Sequence, residues 1–154
     1  MFDNFVYMLF LTLVPWIELR GSIPYGIYAG FDPILVLFSC VLVNILLLFP
    51  VFLFLDYVFP LIRNWKIADI VVRRTRKKSQ KYVEKWGFLG LAIVVGIPLP
   101  GTGAYTGALA AHLFGFERKK AFQAISLGVM MAGIIILFLS FYSRQILSGL
   151  LSLP

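Results

Sequence analysis

The stretch Gly96-Ile97-Pro98-Leu99-Pro100-Gly101-Thr102-Gly103 lies inside the apolar segment Trp86 to Phe116, and its reading decides how often the chain can cross a membrane. Two prolines and three glycines within eight residues interrupt a helix. Proline has no amide hydrogen to donate, and glycine carries the largest backbone entropy. The segment therefore reads as two arms, Gly87 to Ile97 and Ala104 to Gly115, around a turn at 98–103. Such arms reach roughly 16 to 18 Å, about half of a hydrocarbon core ~30 Å thick. A re-entrant hairpin fits that length better than a straight crossing.

The rest of the chain has the composition such a hairpin needs around it. Of 154 residues, 60% are hydrophobic and 14% charged, with a mean hydropathy of +0.91. Soluble domains are about a quarter charged, so a soluble globular protein is excluded. Asn4 to Ile17 has only 14 uncharged residues, too few for a span, and divides with its continuation into arms Phe5 to Pro15 and Gly21 to Phe31. Pro33 to Ile62, with Asp56 as its only charge and a bend expected at Pro50, and Ala121 to Ser143 are both long enough to cross. The first residues lack the positive flank of a secretory signal, which predicts that the first apolar segment is retained.

Charge placement sets the topology. Nine of the 14 Lys and Arg lie between Arg63 and Lys85, and three more are Arg118, Lys119 and Lys120. The positive-inside rule puts both clusters, 63–86 and 117–120, in the cytoplasm, and only a hairpin at 87–116 allows that. An internal repeat agrees: a shift of 85 residues aligns Pro15 with Pro100, Gly30 with Gly115, Phe31 with Phe116 and Asp32 with Glu117. The expected fold is an all-α, multi-pass cell-membrane protein forming one membrane domain over 1–154. Repeat 1 covers 1–62, a basic amphipathic cytoplasmic connector 63–86, and repeat 2 87–144. Each repeat is a re-entrant hairpin plus a transmembrane helix, and the two are inverted relative to each other. Inverted repeats commonly hold a substrate site at the midplane, where broken helices meet.

The hairpin tips carry the candidate chemistry. Glu18 and Arg20 are the only formal charges expected deep in the membrane, where each costs about 2.5 to 3.5 kcal/mol at a helix centre. They are either a functional site or a mutual ion pair. Gly21, Ser22 and Pro24 complete the first tip, with Pro15 at its turn. The second tip has turn residues Pro98, Pro100 and Gly101, followed by Thr102, Gly103, Tyr105 and Thr106. Thr102 is placed to cap a half-helix beginning near Gly103, and Ser22 to do the same in the first hairpin. The free amides and positive dipole of a helix N-terminus favour an anion. Gly103-x3-Gly107 is equally readable as a close packing surface.

Asn44, inside a spanning helix, needs an interhelical hydrogen-bond partner or a place at a secondary polar site. Asp56 is expected to pair with Arg63 or Lys66, His112 to sit structurally near the cytoplasmic face, and Cys40 to pack. No metal-ligand cluster or cofactor motif is present. The connector, flanked by Trp65 and Trp86, reads as an interfacial helix with Ile67, Ile70, Val71, Tyr82 and Val83 on its apolar side. Its predicted partners are anionic lipid head groups and not nucleic acid.

The segments Glu18-Leu19-Arg20-Gly21-Ser22-Ile23-Pro24-Tyr25-Gly26 and Gly96 through Gly107 resemble the small multidrug export protein family, a DedA-like group of small membrane proteins. That resemblance implies paired re-entrant hairpins and a transporter, with Glu18 as a proton-linked acid. DedA members have an Arg-containing motif in the second hairpin where this chain has Gly and Thr. Arg20 two residues from Glu18 weighs against a free carboxylate for cationic drugs and favours an anionic or lipid-phosphate substrate. Proton-coupled drug export is the alternative within transport, and a lipid-organising scaffold is the alternative outside it. An enzyme is disfavoured because the tips lack a second deep carboxylate or a Ser/His pair. With so little protein to bury broken helices, a homo-oligomer is expected.

Overall fold

The computed structural model describes residues 2–62, 66–99 and 101–151, and every regular element in that range is a helix. Pro100, Arg63 and Trp65, and the side chains of Lys66 and Ile67, lie outside the described residues, so the roles expected of them are not addressed. Helix α1 (Phe2–Leu13) and α2 (Glu18–Tyr28) pack as a helical hairpin. Helices α3 (Pro33–Leu46) and α4 (Leu48–Tyr57) form a long rod, followed by the short α5 (Phe59–Ile62). Helix α6 (Lys66–Gly96), α7 (Ala104–Leu113) and α8 (Arg118–Leu151) complete the chain.

The long rods owe their form to their side chains. Pro33–Tyr57 and Arg118–Arg144, of 25 and 27 residues, are long and apolar enough to cross a membrane. Ile34, Phe38, Leu42, Leu46, Phe49 and Leu53 form an exposed stripe along the first, at the three- and four-residue spacing of one helix face. An apolar stripe with no protein against it fits a lipid-facing surface. Asp32 starts this rod by accepting hydrogen bonds from the amides of Ile34 (3.0 Å) and Leu35 (2.9 Å), with Pro33 in the first turn. The helix divides at Leu47, whose φ and ψ remain helical, because Pro50 has no amide hydrogen for the preceding turn.

Two corners 85 residues apart share their backbone geometry. Phe31 donates to the carbonyl of Gly26 (3.1 Å) and Phe116 to that of Ala111 (2.9 Å), closing equivalent turns through Gly30 (φ +84°) and Gly115 (φ +71°). Beyond each corner the next helix starts with the same bond, Val36 to Asp32 and Ala121 to Glu117, both 2.9 Å. The open end of the α1–α2 hairpin lies by the far end of α8, where Arg144 donates to the Ile27 carbonyl (3.1 Å) and the Tyr28 and Ser143 hydroxyls pair (3.1 Å). At the opposite end Asp56 pairs with Arg118, and His112 stands 4.0 Å from Asp56 and edge-on to Phe59.

Helix α6 departs from the sequence reading in its course. At Gly87 (φ +52°, ψ −118°) the chain turns back on itself, so closely that a methyl group on Gly90 would overlap the Tyr82 carbonyl. The packed stripe of the connector is Thr75, Ser79 and Val83. Among the described residues of the apolar side expected from sequence only Val83 is buried, while Ile70, Val71 and Tyr82 stay exposed. The second hairpin is thus 88–96 with α7, and the basic helix lies along it.

Candidate functional site

The two tips share the turn at Trp16 and Gly101 and part company two residues later. In the first, Trp16 (φ +80°) and Glu18 (φ +43°) take left-handed conformations; 85 residues on, Gly101 (φ +75°) and Gly103 (φ +154°) have positive φ as well. Ile17 donates to Val14 (3.2 Å) and Thr102 to Leu99 (3.1 Å), again at the same offset. Side chains other than glycine are strained in the left-handed region by about 1 to 2 kcal/mol each, and such residues concentrate at functional sites.

The tips meet in the interior, side chain to backbone. Glu18, only 8% exposed, accepts a hydrogen bond from the Ala104 amide (3.2 Å) at the N-terminus of α7. A carboxylate there completes an amide that the helix cannot satisfy and faces its positive dipole end. Gly103 makes the approach possible, since a methyl group at that position would overlap the carboxylate. Arg20 reaches across to donate to both the carbonyl and the hydroxyl of Thr102, the latter at 2.8 Å. The Thr102 hydroxyl in turn lies 2.8 Å from the carbonyls of Ile97 and Leu99, holding the second turn closed. Tyr105 donates to the Leu13 carbonyl, and Thr106 to that of Gly101 at 3.1 Å.

The sequence-predicted residues divide accordingly. Glu18, Arg20, Thr102, Gly103, Tyr105 and Thr106 come together, and Pro15 and Pro98 flank the turns. No direct ion pair joins Glu18 to Arg20 among the described residues; each engages the opposite hairpin. The capping roles are corrected. Thr102 does not cap α7, because its hydroxyl is turned back into its own loop, and the cap position belongs to Gly103. Ser22 does not cap α2, because that helix begins four residues earlier at Glu18, whose carbonyl Ser22 bonds at 2.9 Å.

Gly21 and Pro24 lie within α2, Gly21 beside Ile17. Gly107 is a packing glycine against Val95 and Ile125, while Gly103 is approached by the Glu18 carboxylate. Asn44, 0% exposed, lies near enough to Glu18 to interact with it, yet neither amide atom has a geometrically formed hydrogen bond. Asp56 finds Arg118 as its partner. Cys40 is fully buried, as packing requires.

A cavity of about 420 Å³ opens beside this junction. Its polar end is Glu18, Arg20, Thr102 and Thr106, and its apolar wall includes Phe54 and Leu55 of α4 and Phe59 of α5. That wall has no local sign in the sequence, because nothing in α4 distinguishes a cavity-facing phenylalanine from an outward-facing one. Trp16 and Thr75 also line it, the second brought in by the reversal at Gly87.

Residues 18–135 of the 154 match the family described as "Putative small multi-drug export protein", a stretch that begins at Glu18 and contains both tips. The chain belongs to this family. Its name points to transport, and the apolar helices of the chain fit a membrane location. No curated protein and no solved structure matches the chain.

Proposed function

We propose that this family member is a proton-coupled secondary transporter for an anionic, lipid-phosphate-type substrate. In this reading the two hairpins are re-entrant, enter from opposite membrane faces, and bring their tips together at a midplane site. The observation that carries it is the Glu18–Ala104 contact: the chain's own carboxylate occupies the helix N-terminus that an external anion would use. Protonation removes the charge that holds Glu18 there. The Ala104 amide and the Arg20 guanidinium can then turn to a substrate anion in the adjoining cavity. Proton and anion therefore occupy the site together, and neither binds well without the other.

Support for an anion over a cation comes from the same contacts. A cation exporter needs a carboxylate free to bind its cargo, whereas Glu18 is hydrogen-bonded to the Ala104 amide and shares the cavity's polar end with the Arg20 guanidinium. The apolar wall suits the chain of an amphiphile. It also favours a second reading, proton-coupled export of apolar drugs, which agrees with the family name. Burying irregular backbone in so small a protein supports assembly of several copies, with 117–120 on the cytoplasmic side and the basic face of 73–81 in water-filled space continuous with that side.

The test is flux of a short-chain phosphatidic acid into proteoliposomes under an imposed pH gradient. Glu18→Gln and Arg20→Gln are each expected to lower it roughly 10- to 100-fold, the range of a lost hydrogen bond to a charged group. Undiminished flux in both variants overturns the mechanism. Gradient-driven movement of a lipophilic cation, with none of the phosphatidic acid, selects the drug-export reading.

A further inference from the structure

A second cavity, of about 310 Å³, adjoins the first and shares Trp16, Val71, Thr75, Gly101 and Thr106 with it. Its remaining lining is Arg74 and Lys78, four residues apart on one face of the basic helix. Lys78 is drawn to the second tip: a methyl group on Gly101 would stand 3.0 Å from its Nζ. Arg74 makes no hydrogen bond or ion pair among the described residues. The acids on this helix are engaged elsewhere, Asp69 with Arg73 (2.9 Å) and Glu84 with Gln80 (2.8 Å). Two cations therefore face a cavity that contains no carboxylate and leads through shared walls to Arg20.

We propose that Arg74 and Lys78, against the ring of Trp16, form an outer subsite for a phosphate group, through which the anionic end of a substrate passes on its way to Arg20. Three features support it. Two cations at helical spacing match the several oxygens of a phosphate, and guanidinium in particular binds it through two parallel bonds. The outer face of the same helix carries Arg73, Arg76, Lys77 and Lys81, all exposed, so this side of the cavity must meet water. The step from the basic cavity to the apolar one gives an amphiphile places for its head and its chain. The direction of passage rests on the transport reading above; the binding itself does not.

The test uses the full chain in nanodiscs of zwitterionic lipid, with Trp65→Phe and Trp86→Phe so that Trp16 alone reports by fluorescence. The probes are inorganic phosphate and dodecyl phosphate. Both are expected to shift Trp16 emission saturably if the phosphate group is what is recognised, dodecyl phosphate more tightly if a lipid is the source. Arg74→Gln combined with Lys78→Gln is expected to weaken binding about tenfold or more, corresponding to roughly 1.4 kcal/mol. Arg76→Gln combined with Lys77→Gln removes the same charge from the outer face and is expected to change it less than about twofold. Equal weakening by the two pairs overturns the subsite, since the effect is then general electrostatics. Loss of binding in Arg20→Gln with none in Arg74→Gln/Lys78→Gln also overturns it, while leaving the transport reading intact. Binding that needs Arg74 and Lys78, beside flux that is indifferent to Glu18 and Arg20, keeps the subsite and removes the transport mechanism.

Discussion

The two hairpin tips share a turn, at Trp16 and Gly101, and differ in what stands on it. At the two positive-φ positions the second tip has Gly101 and Gly103, and the first has Trp16 and Glu18. Glycine relieves the strain and leaves room; tryptophan and glutamate accept the strain and supply side chains. One tip is thus a receptor built of backbone and small residues, while the other delivers a carboxylate and a guanidinium into it. Two similar turns divided in this way bring a charged pair against free backbone groups without any further element.

The strongest way to break the comparison is to give the receptor a side chain. Gly103→Ala places a methyl group on the Glu18 carboxylate and adds left-handed strain. Together these are expected to cost roughly 2 to 4 kcal/mol. Thermal unfolding in detergent, followed by circular dichroism, should show a large loss for Gly103→Ala and a partial rescue when Glu18→Ala removes the colliding group. Equal damage in both backgrounds would show that the tips do not meet as described.

How much of this was legible beforehand follows the range of each interaction. The broken segment at 96–103, the two apolar rods and the Gly-Phe-acid corners are local signals, and each has a local counterpart: a turn, a lipid-facing stripe, a closed helix end. The candidate residues were legible as types, since a charge in an apolar tip needs a reason. Their partners were not. That Glu18 meets Ala104, 86 residues away, depends on how two hairpins dock. The course of the basic helix was hidden by one residue, Gly87, within a sequence that otherwise favours continuous helix. The alignment of Trp16 with Gly101 was equally hidden, because the repeat preserves the conformation there and not the residue.

Asn44 gives a finer test, because it belongs to neither tip and yet lies beside Glu18 with both amide atoms unpartnered. A buried amide without hydrogen bonds is costly, so Asn44→Leu is expected to raise stability by about 1 kcal/mol. If the amide also positions the Glu18 carboxylate, Asn44→Leu should lower flux while leaving the Glu18→Gln variant no worse than before. A stability gain with undiminished flux would assign Asn44 to neither tip's chemistry.

The smallest expected effect isolates the strain itself. Trp16 is 81% exposed, so its ring contributes little packing, and its φ of +80° is one that glycine adopts freely. Trp16→Gly makes the first tip resemble the second. It trades left-handed strain of about 1 to 2 kcal/mol against the roughly 0.5 to 1 kcal/mol of extra backbone entropy that glycine loses. The net gain should be about 1 kcal/mol or less, a small rise in melting temperature. If the ring is also the wall of a phosphate subsite, the same variant should bind dodecyl phosphate more weakly, read by calorimetry because the reporter is gone. A more stable protein that binds less well would mean that the strain at this tip is retained for what the side chain contacts. A less stable one would mean that Trp16 is held by packing, and the likeness of the two tips would end at the backbone.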